Sequence, residues 1–141
     1  MKYTNIEITI KDLIELIKKG DLNLRPSYQR NFIWSSKDQR LLIDSIHKGY
    51  PMPNFFFLKT KDNQYEMVDG QQRATTIFKY YIGDFKDSQN KKYSDYPTAP
   101  FLEYKLNVVL LEDFNESVGE SKEELDEAYT LDFYEKTYYK R

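Results

Sequence analysis

The sequence of 141 residues contains no cysteine and a single histidine, His47. Without cysteine there is neither a disulfide framework nor a thiolate metal site, and one histidine excludes the familiar zinc sites built from several histidines. The first residues contain no apolar segment of signal-peptide length, and no apolar run reaches the roughly 18 residues that a bilayer-spanning helix requires. We therefore expect a cytoplasmic protein with no membrane contact.

Glycine and proline are scarce as well, with 5 residues of each against 13 tyrosines and 9 phenylalanines. This composition argues against a disordered chain, and a 40% hydrophobic content suits one domain with its own core. The formal net charge is only -2, so no overall field attracts nucleic acid or an anionic membrane. Any anion site must therefore be local.

Hydrophobic periodicity predicts a mixture of strands and helices. Thr9 with Asp12 is a capping pair for the first helix, Gly20 is its stop, and Ser36 with Gln39 fits a capping box for the second. The patterns predict strands over residues 6–10, 54–59, 65–69 and 104–111, and helices through residues 10–17, 42–46 and 74–82.

Two further stretches have no clear periodicity or a weaker one. Residues 84–100 are polar and contain two prolines, which predicts a solvated surface excursion. Residues 112–141 are acidic at first and aromatic later, with Leu125, Ala128, Tyr129 and Leu131 at roughly helical spacing. We interpret residues 1–111 as the folded domain. Residues 112–141 form a C-terminal segment that we expect to be helical and whose sequence is compatible with a truncated end.

The stretch YEMVDGQQRATTIFKYY, residues 65–81, carries the first candidate site. If residue 69 ends a strand and Gly70 permits a tight turn, residues 70–73 supply backbone N–H groups at a helix N-terminus, which favours an anion. Arg73 adds a planar fork for a phosphate. The alternative is structural: Asp69 caps the helix and Arg73 pairs with it. Two glutamines and an arginine on one turn do little for a fold, which favours the anion site.

The stretch RPSYQRNFIW, residues 25–34, carries the second candidate site. Pro26 forbids a helix, so Arg25 and Arg30 belong to an ordered loop and suit phosphates, while Tyr28 offers a ring for a base. The structural alternative pairs Arg30 with one of the many carboxylates. For Trp34 the core position is the preferred interpretation.

Three segments, residues 25–34, 44–59 and 65–81, follow one another in an order and spacing that resemble the N-terminal domain of GmrSD-type modification-dependent restriction endonucleases. The similarity runs from about residue 6 to about residue 111 and includes the DGQQR signature. It implies an α+β fold of the ParB/sulfiredoxin-like type, a small mixed sheet flanked by helices.

The resemblance implies a module that binds, and often hydrolyses, a nucleoside triphosphate: ATP, GTP or CTP, with Mg²⁺ as a further candidate. Arg73 would neutralise phosphate charge, a glutamine would position water, and Asp69 would bind the metal ion or orient water. The candidate catalytic residues are Asp69, Gln72 and Arg73. The residues that the resemblance places around the nucleotide are Arg25, Tyr28, Gln29, Arg30, Gly70, Gln71, Gln72 and Arg73.

Two departures limit this inference. Sulfiredoxin chemistry needs a cysteine after the glycine, and this chain has none. The metal centre of an HNH nuclease needs several His and Asn ligands, whereas His47 is the single histidine of this sequence. It lies at the end of the second predicted helix, where we expect its side chain to face solvent or to cap the helix. The sequence thus favours a nucleotide-binding NTPase-type domain that regulates DNA cleavage by an associated HNH-type nuclease in restriction and phage defence. The alternative is a DNA-binding or partner-binding module without turnover; a homo-oligomer is compatible with both.

Overall fold

The computed structural model describes residues 2–24 and 33–112. Predictions for residues 25–32 and 113–141 lie outside the described residues. The elements in chain order are β1 (Lys2–Thr9), α1 (Ile10–Lys19), β2 (Leu22–Asn23), α2 (Ser36–His47), β3 (Phe55–Lys61), β4 (Gln64–Asp69), α3 (Gln71–Tyr81), a 3-10 helix (Tyr93–Asp95), α4 (Thr98–Leu102) and β5 (Lys105–Glu112).

The strands form one five-stranded sheet in the order β1-β5-β3-β4-β2. The pairs β1–β5 and β3–β4 are antiparallel, whereas β3–β5 and β4–β2 are parallel. A mixed sheet with helices confirms the predicted small α+β domain. The short edge strand β2 was not predicted, because two residues are too few to show a period.

One face of the sheet packs against the helices and contains the main core. Phe55, Phe57 and Met67 point from β3 and β4 into this core, and Leu106 and Val108 join them from β5. The four α-helices in the described residues all contribute side chains to the same cluster; the buried ones are Ile10, Leu13, Ile14, Leu42, Ile43, Ile46, Ala74, Ile77, Tyr80 and Phe101. We call this side of the sheet the helix face.

The other face of the sheet, which we call the back face, has a separate apolar cluster. It consists of Phe56, Leu58, Val68, Val109 and Leu111. The two clusters alternate along β3 and β5, as side chains on successive strand residues must. This explains the continuous apolar run in β3, where residues 55–58 are all buried, and confirms a strand buried on both faces.

The ends of α1 and the start of α2 follow local capping signals. Thr9 and Asp12 form the predicted capping box of α1, and Gly20 ends that helix in the left-handed conformation at φ 76°. For α2 the prediction is wrong by one residue: Ser35 is the cap, and its hydroxyl accepts the N–H of Asp38 at 3.1 Å. Gln39 is instead buried and donates to the Trp34 carbonyl oxygen.

The prediction of a solvated excursion at residues 84–100 is right for most of the segment and wrong at two positions. Asp87 and Tyr93 are buried within it, and the segment contains the 3-10 helix and the start of α4. Its polar composition misled the prediction, because the carboxylate of Asp87 is buried with hydrogen-bond partners rather than solvated.

Candidate functional site

The DGQQR stretch, residues 69–73, forms the corner between β4 and α3. The sharp change of direction at this corner depends on Gly70. Gly70 is buried, has φ 111° and is the residue immediately before the first turn of α3. A Cβ atom at this position would lie 2.4 Å from Cδ2 of Phe55. Both the left-handed backbone and the close ring therefore require glycine. The predicted tight turn into a helix is confirmed.

The two glutamines fasten this corner to neighbouring backbone. Gln71 Nε2 donates to the carbonyl oxygens of Met67 at 2.8 Å and Val68 at 3.4 Å. Gln72 Oε1 accepts the N–H groups of Ile33 at 3.0 Å and Trp34 at 3.1 Å. Gln72 thus connects the first turn of α3 to the chain just before α2. We call this contact the Gln72 clamp.

Arg73 fastens the corner on its other side. Its guanidinium donates to the Pro53 carbonyl oxygen and, at 3.2 Å, to that of Asn54. It also lies 4.4 Å from the centroid of the Phe55 ring and 3.6 Å from the Asp69 carboxylate, with its side chain only 11% exposed. The arginine joins α3 to the link before β3.

These contacts overturn one step of the sequence argument. That step held that two glutamines and an arginine on a first turn do little for a fold. In the structure they hold three chain segments together, and the predicted Asp69–Arg73 pair is present. Asp69 does not cap α3, because the cap residue is Gly70 and no side chain caps the helix.

The start of α3 keeps the physical character of an anion site. The helix is 11 residues long and has no acidic residue in its first turn. Its own hydrogen bonding begins where Ala74 N donates to Gly70 O at 2.8 Å, so the preceding N–H groups have no acceptor within the helix. The partial positive charge at this end is therefore not offset by a carboxylate within the turn.

The second half of the predicted site lies outside the described residues, namely Arg25, Tyr28, Gln29 and Arg30. The described neighbours of that segment are informative, however. Leu24 follows β2, which pairs with β4, and Ile33 is held by the Gln72 clamp. Trp34 packs against the main core, which confirms its predicted core position. Both ends of the arginine-bearing segment are therefore fixed close to β4 and α3.

The geometry does not support the predicted Mg²⁺ site at Asp69, which stays a prediction. The carboxylate already faces the Arg73 guanidinium, and Mg²⁺ asks for oxygen ligands in near-octahedral geometry. Within residues 2–24 and 33–112, no group of three or more histidine, aspartate or glutamate side chains is arranged to hold a metal ion. Gln72 and Arg73 also have further interactions besides those given above.

Sequence reasoning missed a buried polar cluster built around Asp87, which is 3% exposed. Its Oδ2 accepts the hydroxyls of Tyr80 and Tyr96, both at 2.8 Å, and its Oδ1 accepts the N–H groups of Gln89 and Lys91. Since both carboxylate oxygens have two donors, Asp87 is suited to hold the fold rather than to abstract a proton. No sequence pattern marks it among the many acidic residues.

Protonation equilibria in this cluster follow from burial and hydrogen bonding. Burial alone would raise the pKa of Asp87, but the hydrogen bonds from Tyr80, Tyr96, Lys91 and Gln89 outweigh it and lower the pKa below its ordinary value. Burial and the bond to Asp87 raise the pKa of Tyr96 to about 12. The pKa of Tyr80 is raised for the same two reasons.

His47 belongs to this cluster rather than to a metal centre. Its Nε2 lies 3.2 Å from the Tyr80 hydroxyl and 3.8 Å from the Asp87 carboxylate, and its ring centroid is 4.7 Å from that of Tyr96. The expectation of a solvent-facing or capping histidine is thus right only in part, because the exposed side chain also packs on its partners. A cleft of about 430 Å³ opens beside it.

The described residues include no helix long and apolar enough to cross a membrane. They do define a small α+β domain. In it, the corner at Gly70 between β4 and α3, which we call the glycine corner, leads into a helix whose start has no side-chain cap. The chain belongs to the family described as GmrSD restriction endonuclease, N-terminal domain, which matches residues 10–141. No curated protein and no solved structure matches it. Membership involves the protein in a GmrSD-type restriction system, and thereby in phage defence.

Proposed function

We propose that the corner between β4 and α3 binds a nucleoside triphosphate, and that the bound nucleotide regulates DNA cleavage by an associated nuclease domain or subunit. The single observation that carries the proposal is the start of α3: a left-handed glycine, no acidic residue within the first turn and no side-chain cap on a helix of 11 residues. Such a helix start favours a phosphate through both its dipole and its N–H groups.

The Gln72 clamp supports the nucleotide site from a second direction. It fixes Ile33 at the first turn of α3, and a chain spans at most about 3.5 Å per residue. Arg30 precedes Ile33 by three positions, so the chain allows its guanidinium to reach a phosphate at the helix start. In this proposal Arg25 and Arg30 supply the charge, and Tyr28 and Gln29 meet the rest of the nucleotide.

The geometry supports binding more than turnover. Gln72 Oε1 already accepts two backbone N–H groups, and the Arg73 guanidinium is engaged by two carbonyl oxygens and Asp69. Neither side chain can position water or follow developing charge without first breaking these contacts. We therefore propose a regulatory nucleotide switch, in which hydrolysis by Asp69, Gln72 and Arg73 would require these contacts to break first.

The direct test titrates ATP, GTP and CTP, each with and without magnesium, into the folded chain. Arg30→Ala should weaken binding about ten-fold or more, since a charged hydrogen bond contributes about 1.5 to 3 kcal/mol. Arg40→Ala is the matched control, because Arg40 lies on α2 and lines a separate cleft with Phe85 and Ser88. It should leave the affinity unchanged.

Gln72→Glu separates the structural from the ligand-binding role of the clamp. A glutamate keeps an oxygen for the two N–H groups and suits a helix N-terminus, so the melting temperature should change little, whereas the added negative charge should repel a triphosphate. If no nucleotide binds a folded sample, while DNA binds with an affinity that falls steeply with salt, the DNA-binding alternative replaces this proposal.

A further inference from the structure

The back face of the sheet is buried, although no described helix lies on it. Phe56, Leu58 and Leu111 are 2–3% exposed there, and Val68 and Val109 are 5% and 8% exposed. The helix residues of the core all join the cluster on the helix face. A sheet face left open to water exposes its side chains, so something must cover this one.

These exposures are those of a single chain, so the cover belongs to this chain. The residues on either side of residues 25–32 argue against that segment as the cover. Leu24 and Trp34, which stand on either side of it, both pack against the cluster on the helix face. These two flanking residues therefore lie on the opposite side of the sheet from the buried back face. On the back face itself, Phe56, Glu66 and Val68 have further interactions besides those described above.

We propose that residues 113–141 cover the back face as the second layer of the domain. Strand β5 ends at Glu112, directly after the back-face residue Leu111, so the following chain emerges at the edge of this cluster. The family match continues to residue 141, which makes the segment part of the same domain. Its large apolar and aromatic side chains are Phe114, Val118, Leu125, Tyr129, Leu131, Phe133, Tyr134, Tyr138 and Tyr139.

The segment is long enough for the task. As a helix, residues 123–139 would span about 25 Å at 1.5 Å per residue. The outer strands of the sheet are about 19 Å apart, from four spacings of about 4.8 Å. One helix therefore reaches across the whole back face.

This layer supports the candidate site from behind. Phe56 pairs with Asp69 across β3 and β4, and Val68 precedes that residue. A segment that packs on Phe56 and Val68 therefore stabilises the end of β4, which directly precedes the glycine corner. The inference is independent of the nucleotide proposal, since it rests on the burial of the back face, the end of β5 and the extent of the family match.

A crosslinking experiment on the full chain tests which segment is the cover. Asn107 is exposed. It lies on the back face because it stands between the helix-face residues Leu106 and Val108, and successive strand residues point to opposite faces. The chain has no cysteine, so Asn107→Cys carries a thiol-linked photo-crosslinker at one position. We expect crosslinks to residues 113–141 of the same molecule. Crosslinks only to residues 25–32, or only to a second copy, would overturn the proposal.

Thiol labelling provides an independent measurement in the full chain. Val109→Cys should react at least about ten times more slowly than Tyr3→Cys, since Tyr3 is 67% exposed. Adding Leu125→Asp and Leu131→Asp should make position 109 reactive while Val108→Cys, on the helix face, stays protected. A fast Val109→Cys in the otherwise unchanged chain, or one still protected after both substitutions, contradicts the proposal. If Val108→Cys also becomes reactive, the variant has unfolded and the crosslinks decide.

Discussion

Arg73→Ala should destabilise the domain strongly, whatever Arg73 does for a ligand. The substitution removes two donors to the carbonyl oxygens of Pro53 and Asn54 and the cation above the Phe55 ring. It also leaves the Asp69 carboxylate, 14% exposed, without this partner. A hydrogen bond from a charged group contributes about 1.5 to 3 kcal/mol, and removing one member of a buried pair costs about 3 to 5 kcal/mol. We expect a loss of about 3 kcal/mol.

Urea unfolding at neutral pH and a thermal scan measure this loss. For a domain of this size about 1 kcal/mol shifts the melting temperature by roughly 4 °C, so we expect a fall of about 10 to 15 °C. Lys105→Ala is the control, since its exposed pair with Glu7 at 3.7 Å contributes under about 1 kcal/mol. A loss below about 1 kcal/mol for Arg73→Ala would refute the structural assignment and free the guanidinium for a ligand.

The remaining predictions concern the buried cluster and the glycine corner. Asp87→Asn sets an amide N–H against hydrogen-bond donors and should cost about 2 to 3 kcal/mol in urea unfolding, whereas Asp84→Asn, at an exposed carboxylate, should cost under about 1 kcal/mol. Folding lowers the pKa of Asp87, so its contribution to the free energy of unfolding is present above its ordinary pKa of 3.8 and is lost as the pH falls through the folded value. An Asp87→Asn variant whose stability falls equally with acid would contradict this. The pKa of Tyr96 rises from 10.0 to about 12, so stability should fall between these pH values and the fall should shrink in Tyr96→Phe. Gly70→Ala should cost about 2 kcal/mol or more, because its Cβ would collide with Phe55 at φ 111°; a melting temperature within about 2 °C of the parent would count against the required left-handed turn.

Local signals in the sequence were sufficient for most of the elements. The capping box of Thr9 and Asp12, the left-handed stop at Gly20 and the apolar run of β3 all depend on neighbouring residues. Such interactions act within one or two turns, so their pattern is visible along the chain. At Gly70 the local signal is the Asp-Gly pair, because glycine adopts the left-handed φ of 111° found there without a steric penalty.

What the sequence by itself determined was the α+β class and the glycine corner, whereas the structure decided that Asp69 does not cap α3. Only the tertiary structure decided that Gln72 accepts two N–H groups from the chain before α2, that Arg73 is held by carbonyl oxygens, and that Asp87 is buried. The contacts of Gln72 and Arg73 join residues 19 to 39 positions apart, whereas the hydrogen-bond partners of Asp87 lie within 9 positions but follow no helical or strand period. In addition, an amide, a guanidinium or a carboxylate looks the same in a sequence whether its partner is backbone, ligand or water.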